Sequence, residues 1–156
     1  QDDLSGLDVA RKALILGREL GLELEMDDIR VEPLVPHEIL DNGDLDTFFA
    51  ALEDYDATFR DRIDAMKAEG KTLRYLAVID PGVAEDAEPS FRVGPVGIDA
   101  DHPATGLRGS ESFVAFTTER YSDYPLIVRG AGAGGAVTAA GVLTDILRIS
   151  QNLRGR

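Results

Sequence analysis

The chain has 156 residues, 44% hydrophobic and 29% charged, which suits a folded domain with a core of its own. Its 29 acids against 16 bases give a formal charge of −13, the wrong sign for gripping nucleic-acid phosphates or docking on an anionic membrane surface. The absence of cysteine removes disulfides, thiolate zinc sites and cysteine nucleophiles, no apolar run approaches the ~18 residues of a membrane span, and two histidines, His37 and His102, make a histidine-based triad or metal site poorly supported; no metal is expected.

Taken in order, residues 5–20 predict a helix. Ser5 can cap it, Leu7, Ala10, Ala13, Leu14 and Leu20 recur at helical spacing, Val9 and Leu16 widen the apolar face, and Gly21 ends it. The stretch IRVEPLVP (29–36) alternates and contains Pro33, so it predicts a short edge strand. Asn42-Gly43-Asp44 predicts a turn, with Asp44 capping a second helix over about 45–69. That helix carries Phe48, Phe49, Leu52, Tyr55, Phe59, Ile63 and Met66 at spacings of three and four, an expected core stripe.

The period then falls to two. KTLRYLAVID (71–80), SFRVGPVGID (90–99), ESFVAFTTER (111–120) and PLIVRG (125–130) predict strands. Their short connectors favour antiparallel neighbours. Gly and Ala crowd residues 130–150, predicting a loop that continues as a helix to about 153. Helices followed by a run of strands point to an α+β fold, a mostly antiparallel sheet of about four to five strands covered by helices.

Two constellations bear on chemistry. Asp8 and Lys12 stand four apart on one helical stripe, with Asp3 just ahead of it. They read either as a helix-start acid with a surface salt bridge, or as a partly buried lysine among carboxylates, a candidate general acid/base. Gly130, Gly132 and Gly135 match G-x-G-x-x-G between a strand and a helix, but the second strand and ribose-binding acid of a complete dinucleotide fold do not follow. These glycines suit either close approach of a ligand to backbone or tight helix packing. Arg129 just before them is a weak phosphate candidate. His37 and His102 read as surface or capping residues.

DDLSGLDVARK, followed some 120 residues later by VRGAGAGGAVTAAGVLTDIL, resembles homoserine dehydrogenase, specifically its C-terminal catalytic portion, as found in monofunctional enzymes and in fusions behind an aspartokinase. The resemblance spans essentially the whole chain. It implies an NAD- or NADP-dependent oxidoreductase interconverting L-homoserine and L-aspartate 4-semialdehyde, on the shared route to threonine and methionine. It implies a cytoplasmic homodimer, and it admits a fused aspartokinase in the parent protein. Carried over by motif, Lys12 is the proton donor/acceptor, Asp8 orients Lys12 or the substrate, Asp3 binds substrate, and Gly132 and Gly134 lie against the cofactor. Residues 1–129 are then the substrate-binding, catalytic and dimerisation domain. Residues 130–156 are the glycine loop and the helix packing toward the cofactor domain and dimer interface. The family's N-terminal nucleotide-binding domain is absent from this chain, which is expected to be inactive alone. The competing expectation is a non-catalytic α+β dimerisation or small-molecule-sensing module, in which Lys12 points into bulk water.

Overall fold

The computed structural model describes residues 1–82 and 89–154. The chain divides into two compact units, Gln1–Ala100 and Asp101–Arg156. The functional division expected at 129/130 falls inside a strand of the second unit.

The first unit begins with two helices where one was expected. Helix α1 (Asp2–Ser5) stops at Gly6, whose φ of 80° is left-handed, and α2 (Leu7–Glu19) starts directly after it. The Ser5 hydroxyl donates to the Asp2 carbonyl at 2.7 Å and accepts from the Leu7 N–H at 3.2 Å, so it serves the junction rather than the start of one long helix. A 3-10 turn (Met26–Asp28) leads into β1 (Arg30–Val31), which is followed by the short helix α3 (His37–Leu40).

Helix α4 (Leu45–Ala68) is capped as expected. The Asp44 carboxylate accepts from the Thr47 N–H at 2.9 Å and from its hydroxyl at 2.7 Å. Those bonds, the backbone one foremost, hold the Asp44 carboxyl below its ordinary range. On the apolar stripe Phe48 is buried, and Leu52, Tyr55, Phe59, Ile63 and Met66 are half-buried. Phe49 leaves the stripe: one residue is a 100° turn of the helix, and Phe49 is 57% exposed.

Strands β2 (Thr72–Asp80) and β3 (Ser90–Ile98) pair antiparallel from Thr72↔Ile98 to Asp80↔Ser90. Strand β1 adds to the other edge of β3, parallel, through Arg30↔Arg92 and Val31↔Val93. It extends over two residues of the expected 29–36: the next donor on β3 would be residue 95, which is Pro95 and has no N–H, and the Leu34 N–H donates to the Leu4 carbonyl instead. The core lies between α2 and this sheet. Ala10 and Ala13 are buried with Ile29 and Val93, ringed by Val9, Leu14, Met26, Val31, Tyr75, Ile79 and Phe91. Small side chains let the α2 backbone approach the sheet. At Gly17 a Cβ would come within 2.6 Å of Leu24 Cδ1.

In the second unit a 3-10 turn (Pro103–Gly106) is capped by His102, whose Nδ1 accepts from the Ala104 N–H at 3.1 Å. Strands β4 (Glu111–Phe116) and β5 (Leu126–Ala131) form an antiparallel pair from Glu111↔Ala131 to Phe116↔Leu126. Helix α5 (Gly135–Arg154) follows. The fold is α+β, as expected, but among the described residues its five strands form a three-stranded sheet, β1-β3-β2, and a two-stranded one, β4-β5, instead of a single sheet.

Candidate active site

The way α2 is seated positions the N-terminal constellation. Ala10, Ala13 and Gly17 occupy the inner side of α2, so the 100° helical step turns Asp8 and Lys12 outward. Lys12 Nζ donates to Asp8 Oδ2 at 2.6 Å. The pair is exposed, with 68% and 57% of the two side chains accessible, which corrects the expectation of partial burial. The same outward face turns apolar past Lys12, at Ile15, Leu16 and Leu20. Asp3 is exposed on α1 and makes no side-chain hydrogen bond or ion pair among the described residues.

Helix α1 is tied down from behind. The Leu34 N–H donates to the Leu4 carbonyl at 2.9 Å, and the Gln1 side-chain amide donates to the Asn42 carbonyl at 2.5 Å. At the α1–α2 junction, Gly6 faces the Tyr75 ring from β2; a Cβ there would overlap the Tyr75 hydroxyl and lie 3.1 Å from Val31 Cγ1. The hydroxyl donates to the Glu32 carbonyl at 2.8 Å. Burial, and the Glu32 charge after it, raise the Tyr75 pKa, so the phenol stays a neutral donor.

In the second unit the glycine stretch joins β5 to α5. The Gly132 N–H donates to the Ser110 carbonyl at 3.1 Å, and a Cβ on Gly132 would overlap the Ser112 hydroxyl. Its lack of a side chain is thus accounted for by packing. Gly134 differs: its φ is 135° and nothing lies within 4 Å of where a Cβ would be. Arg129 is committed elsewhere. It donates to the Gly106 carbonyl at 2.8 Å and pairs with the Glu111 carboxylate, so its charge is matched by a carboxylate and not left for a phosphate. The Arg129 hydrogen bond is the main reason the Glu111 carboxyl titrates below its usual range, with the Arg108 N–H adding to it.

Sequence reasoning found Asp8–Lys12 but missed the Gly6–Tyr75 junction and the Arg129–Glu111 pair. Gly after Ser at a helix start was a readable sign of a break. Tyr75 meets a carbonyl 43 residues away and left no local sign. A trough of about 330 Å³ lined by Phe59, Ile63, Lys67, Lys71, Arg74 and Tyr75 includes neither Lys12 nor its acids. No helix among the described residues is long and apolar enough to cross a membrane.

The fold and this face define an α+β domain that presents a lysine–carboxylate pair on the outer side of a sheet-packed helix. The sequence profile of the homoserine dehydrogenase family matches residues 1–147, and the chain belongs to that family. It is 45% identical over 152 residues to a bifunctional aspartokinase/homoserine dehydrogenase of Haemophilus influenzae, covering 97% of this chain and 18% of that protein. It is 39% identical over 155 residues to a homoserine dehydrogenase of Schizosaccharomyces pombe, covering 99% of this chain and 40% of that protein. A crystal structure of a Candida auris protein of unknown function aligns with a TM-score of 0.80 at 39% identity, over 96% of this chain and 40% of the other. The Staphylococcus aureus homoserine dehydrogenase at pH 6.0 aligns over 98% of this chain and 32% of its own, with a TM-score of 0.67 at 17% identity, a likeness of fold. The chain thus spans less than half the length of each of these proteins.

Proposed function

We propose that this chain is the catalytic portion of an oxidoreductase that interconverts L-homoserine and L-aspartate 4-semialdehyde with NAD or NADP. The observation that carries the reading is the Asp8–Lys12 pair, held on the outer face of α2 inside the family match. The Lys12 ammonium has three N–H donors and Asp8 takes one, so Lys12 can donate another to a substrate oxygen while the pair is kept. As the aldehyde carbon is reduced, its oxygen gains negative charge and takes a proton from the Lys12 ammonium. In the oxidising direction the neutral amine takes the hydroxyl proton back. Asp8 keeps the ammonium aimed, and Asp3 accepts hydrogen bonds from the substrate's polar groups.

A bound nicotinamide cofactor supplies or removes the hydride. Gly134 suits a cofactor, because its backbone is open on the side a Cβ would fill, just ahead of the N-terminus of the 20-residue α5. Gly132, filled on that side by Ser112, would contribute through its backbone alone. In this reading residues 1–129 bind substrate and help dimerise, and residues 130–156 serve the cofactor domain and the dimer interface. The exposure of Lys12 is accounted for by a site completed by the remainder of a longer enzyme. That enzyme would be a cytoplasmic homodimer supplying threonine and methionine synthesis, with an aspartokinase fused in some parents; a non-catalytic module is the less supported alternative.

The test is oxidation of reduced nicotinamide cofactor with aspartate semialdehyde by the full-length enzyme. Lys12→Ala is expected to lower kcat by about 10²–10⁴ with an unchanged melting temperature. Undiminished turnover would overturn the assignment. This chain alone should be inactive and regain activity when mixed with the complementary segment.

A further inference from the structure

The junction between α1 and α2 is built at more expense than a helix break needs, and its parts lie on three separate elements. The Glu32 N–H donates to the Val93 carbonyl at 2.8 Å, continuing the parallel β1–β3 ladder one step past Val31. In a parallel ladder the Glu32 carbonyl should next accept from the N–H of residue 95. That residue is Pro95, which has no N–H. The carbonyl is left without its ladder donor, and the residue opposite Pro95 in the sheet is Tyr75. Its hydroxyl takes the vacancy at 2.8 Å.

The ring so fixed lies where Gly6 turns from α1 into α2. Gly6 is held there in a left-handed conformation, at the one point where the backbone carrying Asp3 meets the backbone carrying Asp8 and Lys12. Helix α1 is anchored independently through the Leu34 N–H. Helix α2 is seated on the sheet by Ala10 and Ala13. The backbone turn that joins them packs directly on the Tyr75 hydroxyl.

We propose that Tyr75, locked by the Glu32 carbonyl that Pro95 leaves free and packed on Gly6, is a positioning residue that sets the orientation of Lys12 relative to Asp3. It touches neither substrate nor cofactor. It acts through the helix junction, and the inference rests on the catalytic reading of Lys12. Loss of the hydroxyl leaves a gap under Gly6 and lets the two helices rock. A misplacement of about 1 Å at a reacting group can cost up to about 10²-fold in rate.

The experiment is a double-mutant cycle in the full-length enzyme, with Tyr75→Phe, Lys12→Ala and the pair. Tyr75→Phe keeps the ring and the fold. It is expected to lower kcat by about 10- to 100-fold, leave KM for the semialdehyde nearly unchanged, and raise the solvent deuterium isotope effect on kcat as proton transfer becomes limiting. In the Lys12→Ala background the same substitution is expected to have no further effect on the residual rate, because a misaimed lysine that is absent cannot be misaimed again. Gly6→Ala should repeat the loss with greater severity; if it fails to fold, Tyr75→Phe carries the test alone. An equal fall in both backgrounds would assign Tyr75 a general structural role and overturn the proposal, as would an unaltered kcat in Tyr75→Phe while Lys12→Ala is crippled. Full activity in Lys12→Ala would instead remove the catalytic reading, and the positioning role with it.

Discussion

Single side chains in this chain are governed by partners that lie at very different distances along it. Lys12 and Asp8 are four residues apart, so their contact was legible from spacing. What spacing could not give was their exposure, which depends on which side of α2 meets the sheet. Arg129 is the contrary case. Beside the glycines it invites an anion, yet its partner Glu111, 18 residues away and brought near by the β4–β5 pairing, has already taken it. The Glu111 carboxyl is held below its ordinary value of about 4.5, so its bonded form stabilises the native chain above that value. The stabilisation is lost as pH falls through the depressed pKa. Melting temperatures of the chain and of Glu111→Gln should therefore differ at pH 7, the parent being higher, begin to approach one another below about pH 4.5, and meet once pH has fallen past the depressed pKa. A constant gap down to pH 3 would show that the pair contributes no pH-linked stability.

Elements were legible where their signals were local. The Asp44 cap, the ends of α4, and the antiparallel pairing of β2 with β3 and of β4 with β5 all followed from turn residues and period. Asp44→Ala, which removes both bonds from Thr47, should lower the melting temperature by about 2–4 °C and speed amide hydrogen exchange over the first turn of α4, while Asp44→Asn should retain most of the stability. Two misreadings at this scale have backbone causes, apart from β4, which stops at Phe116 short of the expected 111–120. One residue, Gly6, converts the first predicted helix into two, and a left-handed φ writes no periodic signature. Strand β1 is cut short because Pro95, on β3, offers no N–H to the Glu32 carbonyl, and the Leu34 N–H turns to the Leu4 carbonyl.

Over the whole chain, the distribution of apolar surface is uneven. The first unit gathers its core around Ala10, Ala13, Ile29 and Val93. In the second, α5 exposes Val137, Val142, Leu143, Ile146, Leu147, Ile149 and Leu153, and β5 exposes Leu126, Ile127 and Val128. Such apolar surface, on a chain of formal charge −13, marks a face to be covered by other protein. Under the proposed dimer, the full-length enzyme should melt at a temperature that rises with its concentration. Leu147→Asp should lower that temperature and shift the sedimenting species toward monomer. A melting temperature independent of concentration, with an unchanged sedimentation coefficient in the variant, would remove α5 from the interface. The five strands were legible in the sequence, but their division into two sheets was not, because strand count constrains pairing partners only weakly.

The seat of α2 on its sheet has a consequence for how this protein can vary. Ala10, Ala13 and Gly17 are already the smallest side chains available, so drift at those positions runs almost entirely in one direction: toward bulk. At Ala10 and Ala13 each such step lifts the helix away from the sheet, at Gly17 the first contact is with Leu24, and no step can sink the helix deeper. Errors there are one-sided and cannot cancel, since two enlargements raise the helix further than one. A saturation library at these three sites should therefore show activity falling monotonically with added side-chain volume, without the compensating large-for-small exchanges that repacked cores allow.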